Sequence, residues 1–230
     1  MRLTGYYVRS RHGAAVVLYP RAGGTQRHAR MLVRHGFGVL ALDARGYGAS
    51  EGDPNAFGWG GTRDVDAAVA YLQRRPDVLH GGIGGLGLSV GGEQMLDAAA
   101  GNPALQAVVS DGAGERSVNE TLARGWRAAL AIPEALVQTA AIAVFSGHAP
   151  PPSLTSVAPR ISPRAAFFVY AEHGVGGEDL NRTFYNRARE PKQIWRVPAA
   201  GHTGGLRAAP REYERRVVAF LLEHLRHSRG

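Results

Sequence analysis

The run Gly85-Leu86-Gly87-Leu88-Ser89-Val90-Gly91-Gly92 constrains this chain most. An apolar stretch from Ile83 to Leu88 reads as a strand, and Gly91 to Ala100 reads as a helix. Only a sharp turn can join them. Such a turn brings the following helix against the strand, which requires residues without a Cβ around the turning point. The spacing Gly87-x-Ser89-x-Gly91 is that of a nucleophile elbow, in which a strained turn leaves one serine exposed at the top of a sheet.

The flanking sequence supplies a context for that turn. Val8 to Pro20 reads as strand, turn and strand, with Arg11-His12-Gly13 as the turn. Ala14–Tyr19 and Phe37–Asp43 are continuous apolar runs, as expected of strands buried on both faces. Helices are expected over Gln26–His35 and over Arg63–Arg74, the latter with Thr62 as its N-cap. Leu105–Ser110, Ala165–Ala171 and Gln193–Val197 read as further strands. Glu178–Arg189 and Pro210–His227 read as helices. Strand and helix alternate almost throughout, which predicts an α/β fold built on a doubly wound, mostly parallel sheet in a single domain over residues 1–230.

Residues 113–160 interrupt the alternation. Two apolar helices, Val118–Ala131 and Pro133–Phe145, precede a Pro-rich loop from His148. An interruption of this kind reads as a short helical cap or lid within the domain, or as a cover for the sheet edge.

Composition narrows the partners. No cysteine is present, so disulfides, thiolate nucleophiles and Cys-ligated zinc are excluded. The formal charge is +8. Lys192 is the only lysine among 27 basic residues, and the arginines are scattered without an aromatic-interleaved tract. This argues against a nucleic-acid partner. Asp64 and Asp66 lack a second ligand cluster, so no metal is expected. No run reaches the ~18 apolar residues of a membrane span, and no signal peptide is visible. The expectation is a cytoplasmic protein without a cofactor.

Gly82-Ile-Gly84-Gly85-Leu-Gly87 matches Gly-x-Gly-x-x-Gly. A dinucleotide site needs that pattern after the strand, whereas these glycines lie within the strand and its approach.

Four segments together resemble the α/β-hydrolase superfamily over nearly the whole chain. They are the loop following Tyr19 up to Gly24, the stretch Asp43-Ala-Arg-Gly-Tyr-Gly-Ala-Ser-Glu-Gly52, the elbow, and Val197-Pro-Ala-Ala-Gly-His202. Each falls at a strand end in the family's order. The resemblance implies a serine nucleophile, a histidine base, a carboxylate and two backbone donors for an oxyanion. Ser89 is the candidate nucleophile and His202 the candidate base, because the His202 loop follows the last strand and can reach Ser89 over the same sheet edge. His28 and His35 fall on the first helix and read as solvated surface residues. His148 and His173 lie in loops near the same edge and are the rivals.

The family's acid follows the strand ending near Ala171. Glu178 is the first choice there, with Glu172, Asp179 and Asp111 as alternatives. The oxyanion donors are placed at the Val90 N–H and, from the loop after the early strand, at the Ala22 N–H. Arg21 in that loop could direct a charge into the site.

These features predict a hydrolase that cleaves a small ester or thioester through an acyl-enzyme on Ser89. The alternatives are a peptidase of the prolyl-oligopeptidase-like branch and a catalytically silent hydrolase-fold binding protein.

Overall fold

The computed structural model describes residues 1–20, 24–52 and 58–228. Seven strands form one sheet: β1 (Gly5–Val8), β2 (Ala15–Tyr19), β3 (Gly38–Leu42), β4 (Ile83–Leu88), β5 (Ala107–Asp111), β6 (Ala165–His173) and β7 (Lys192–Gly201). Their spatial order is β1-β3-β2-β4-β5-β6-β7. β1 pairs antiparallel with β3, and every other pair is parallel. Parallel strands need helices on both faces to cross over, so their side chains are buried on both sides. β2, β3 and β5 are buried along their whole length.

The helices are α1 (Gln26–Arg34), α2 (Gly61–Gln73), α3 (Val90–Gly101), α4 (Val118–Ala123), α5 (Trp126–Ala129), α6 (Ile132–Ser146), α7 (Leu154–Val157), α8 (Asn181–Arg187), α9 (Gly205–Ala208) and α10 (Pro210–His224). One core joins α2, α3 and α8 to the sheet through Val65, Leu72, Met95 and Phe184. The core on the opposite face joins α1 and α10 through Met31, Leu32, Tyr213 and Phe220. Each such side chain contributes about 1.5–3 kcal/mol on burial. The two cores hold the sheet rigid and bring the ends of β4, β6 and β7 to one edge.

The mostly parallel sheet is as the sequence predicts, while several local expectations are corrected. α2 starts at Gly61, and its N-cap is Gly60 in the left-handed region (φ 82°). Thr62 lies inside the helix and donates its hydroxyl to Gln94 Oε1 at 2.9 Å instead of capping. The expected helix 118–131 is broken at Gly125, whose φ of 101° ends α4 before α5 begins. Glu178–Leu180 is a 3₁₀ turn, and the α-helix starts only at Asn181. β7 runs on to Gly201, which carries the strand to the edge of the histidine loop.

A buried ion pair anchors the loop after β3. Arg45 Nη2 lies 2.6 Å from Asp64 Oδ1, and Tyr19 donates to Asp64 Oδ2 at 2.7 Å. Asp64 is 1% exposed. The carboxylate that the sequence left without a ligand role therefore ties β2, the loop and α2 together.

Over residues 113–160, α6 buries none of its residues, and Phe145 is 87% exposed. No helix among the described residues is long and apolar enough to cross a membrane.

Candidate active site

Ser89 sits between β4 and α3 with φ 57° and ψ −126°. A non-glycine residue held there costs about 1–3 kcal/mol, which the surroundings must supply. Part of it comes from the Ser89 N–H, which donates to the Asp111 carbonyl of β5 at 2.8 Å. The flanking glycines are dictated by contact. A Cβ on Gly87 would strike the Gly91 carbonyl, and one on Gly91 would strike the Tyr19 carbonyl of β2. α3 is thereby seated on the strand ends, with the Val90 N–H at its first position, where no intrahelical acceptor exists.

His202 follows β7. Its Nε2 lies 2.9 Å from Ser89 Oγ, and its Nδ1 faces Glu178 Oε1. The ring is partly open to solvent, whereas Glu178 is 1% exposed. Glu178 is tightly held. Its Oε2 accepts the Ala171 N–H at 2.8 Å. Asn181 Nδ2 donates to both the Glu178 and Ala113 carbonyls, at 2.8 and 2.7 Å. The turn therefore cannot swing the carboxylate away without breaking these bonds.

The other three carboxylates are engaged elsewhere. Glu172 accepts from Arg196 Nη2 at 2.9 Å and from the Ala199 N–H at 2.8 Å. It clamps the segment of β7 that leads to His202 without touching the ring. Asp179 points outward to Arg124 Nε at 3.2 Å. Asp111 lies buried beneath the site and accepts from Tyr213 Oη at 2.8 Å. Burial raises its carboxyl to about 7, with the nearby Glu178 charge adding to the effect. His148 lies 3.4 Å from Arg45 Nη1, and His173 ends β6 on the exposed side. Ala22 and Arg21 lie outside the described residues.

A cleft of about 600 Å³ opens at Ser89 and His202, bounded by Pro20, Tyr47, Leu88 and Leu206 among others. Arg27, His28 and Arg207 also line it. His28 corrects the expectation of a solvated residue, being 6% exposed. The signal was present in the sequence. His28, Met31 and Leu32 are spaced i, i+3, i+4, and so share the buried face of α1. The described residues lining the cleft all fall outside 113–160. α4 and α6 border a separate cavity of about 250 Å³ with Trp59 and Arg116. Among the described residues no group of His, Asp and Glu has the clustering of a metal site.

The chain of contacts places a hydroxyl against one imidazole nitrogen and a buried carboxyl group against the other, the arrangement that acyl transfer by an activated serine requires. Comparison with known proteins agrees at the level of fold and family. The family model described as X-Pro dipeptidyl-peptidase (S15 family) matches residues 4–159. An esterase from Pyrococcus furiosus superposes with a TM-score of 0.76 at 21% identity, covering 97% of this chain and 87% of that one. The α/β hydrolase GrgF from Penicillium sp. sh18 gives a TM-score of 0.74 at 20% identity, covering 97% of this chain and 94% of that one. At these identities the likeness to the solved structures is one of fold.

Proposed function

The chain belongs to the X-Pro dipeptidyl-peptidase (S15) family of α/β-hydrolases, and from that premise we propose that it is a serine hydrolase of small esters or thioesters. The observation that carries this reading is the contact of Ser89 Oγ with His202 Nε2 at 2.9 Å, with buried Glu178 on the other ring nitrogen. Ser89 Oγ attacks the acyl carbon while Nε2 takes its proton. The Val90 N–H donates to the developing oxyanion, and the Ala22 N–H is the second donor proposed from the sequence. The tetrahedral species collapses, and the imidazolium returns the proton to the departing alcohol or thiol. Water then attacks the acyl-enzyme by the same route, and the carboxylic acid leaves with Ser89 regenerated. Glu178 keeps Nδ1 protonated and balances the imidazolium charge in both halves.

A peptidase is the second reading, favoured by the family description. A dipeptidyl-peptidase must also hold the substrate's terminal ammonium, which calls for a carboxylate in the cleft. Among the described residues lining the cleft there is no Asp or Glu. This favours the ester reading.

A fluorophosphonate probe tests the proposal. Wild type is expected to be labelled stoichiometrically at Ser89, and Ser89→Ala to remain unlabelled. A folded wild-type protein that resists the probe would overturn the nucleophile assignment.

A further inference from the structure

The cleft carries a second set of groups that the acyl-transfer steps leave unused. Arg27 and His28 reach it from the first turn of α1, and Arg207 reaches it from α9, just beyond the histidine loop. Neither arginine has an ion-pair or hydrogen-bond partner among the described residues. The described wall of the cleft thus carries two positive charges and no Asp or Glu.

The N-terminus of α1 opens on the same space. Gly24 lines the cleft, and the cap residue Thr25 makes no side-chain hydrogen bond to the helix. The first-turn N–H groups therefore keep their partial positive charge available to an anion.

His28 is an independent sign. It is 6% exposed, and neither Nδ1 nor Nε2 has a hydrogen-bond partner. Buried polar groups are hydrogen-bonded as a rule. The ring lines the cleft but packs edge-on against Tyr213, with both nitrogens shielded from solvent, so a ligand acceptor pairs one of them only by drawing the ring toward the cleft. Burial draws this ring down to about 4. It is therefore neutral near pH 7, with one N–H to donate.

We propose that Arg27, His28, Arg207 and the N-terminus of α1 form a carboxylate subsite beside Ser89, so that the preferred substrates are esters bearing a carboxylate a few bonds from the scissile acyl carbon. A monoester of a short dicarboxylic acid has this chemistry. The planar guanidinium fork matches two coplanar carboxylate oxygens. The proposal rests on the serine-hydrolase reading and specifies its substrate class.

The test uses two probes that differ only at the distal end. One is an ethyl fluorophosphonate with a 4-carboxybutyl chain, and the other carries a pentyl chain. The second-order rate of Ser89 phosphonylation is measured on the intact chain at low ionic strength. The charged probe is expected to react about tenfold faster, the scale of two exposed charge contacts acting together. In Arg27→Ala/Arg207→Ala the ratio is expected to fall to about 3 or below, with folding checked by thermal melting. In Arg30→Ala, an exposed arginine on the same helix that does not line the cleft, the ratio is expected to stay at the wild-type value.

Equal rates in wild type, or a preference that survives undiminished in the double variant, would overturn the subsite while leaving the hydrolase reading intact. If neither probe reacts, the serine-hydrolase reading falls and the subsite falls with it.

Discussion

Replacing Glu178 with glutamine exchanges one oxygen for an NH2 and removes one charge. In the native site Oε2 accepts the Ala171 N–H at 2.8 Å, and Oε1 faces His202 Nδ1. The single oxygen of the glutamine must stay with Ala171, because an NH2 there would set donor against donor. The NH2 then meets Nδ1 and forces it to act as an acceptor. A neutral imidazole has only one N–H, so that proton moves to Nε2, the nitrogen 2.9 Å from Ser89 Oγ. A protonated Nε2 cannot take the hydroxyl proton.

Loss of the working tautomer in a serine–histidine–carboxylate site lowers kcat about ten-thousandfold, or ~5.5 kcal/mol of barrier. Glu178 is 1% exposed, so solvent has little access with which to rebuild the acceptor. The assay is steady-state hydrolysis of an ester that wild type turns over, with thermal unfolding to verify the fold. A Glu178→Gln variant that keeps kcat within tenfold of wild type would refute the reasoning. So would an Asp111→Asn variant that loses as much activity as Glu178→Gln.

Asp111 makes a separate prediction about stability. Its carboxyl rises from 3.8 to about 7 on folding, chiefly through burial. The folded state thus binds an extra proton between roughly pH 4 and 7. Stability falls as pH rises through that window, and the deficit is complete above it. Asp111→Asn is expected to remove a deficit on the order of 4 kcal/mol at pH 8 and little at pH 4. Urea unfolding at the two pH values checks this, and an equal difference at both would disprove it. Asp64→Ala leaves the buried Arg45 guanidinium and the Tyr19 hydroxyl without their partner. It is expected to cost about 3–5 kcal/mol, and a denaturation midpoint close to that of wild type would contradict the anchoring role. Gly91→Ala drives a Cβ into the Tyr19 carbonyl. A loss of about 1–3 kcal/mol, with slower fluorophosphonate labelling, is expected. Unchanged labelling would show that the elbow tolerates displacement of α3.

What the sequence determined by itself follows from local chemistry. Ile83–Leu88 is apolar, and Gly87 and Gly91 lack the Cβ that would hold the following helix off the strand ends. The alternation of buried strands with amphipathic helices likewise leaves few topologies, because parallel strands require crossover helices and these pack with one hand. The loop carrying His202 follows the last strand, so the sheet's parallel arrangement alone brings it to the edge that holds Ser89.

Only the tertiary structure decided which carboxylate meets the imidazole. Glu172, Glu178 and Asp179 lie within eight positions, yet they face Arg196, His202 and Arg124 respectively. Side-chain direction after a glycine-rich turn depends on backbone angles such as the φ of 62° at Gly176 and 83° at Gly177, which glycine leaves open until packing selects them. The same holds for Arg27, His28 and Arg207. Arg27 and His28 are 179 residues or more from Arg207 in sequence, and they share one cleft only because the sheet brings the ends of β2 and β7 to the same edge.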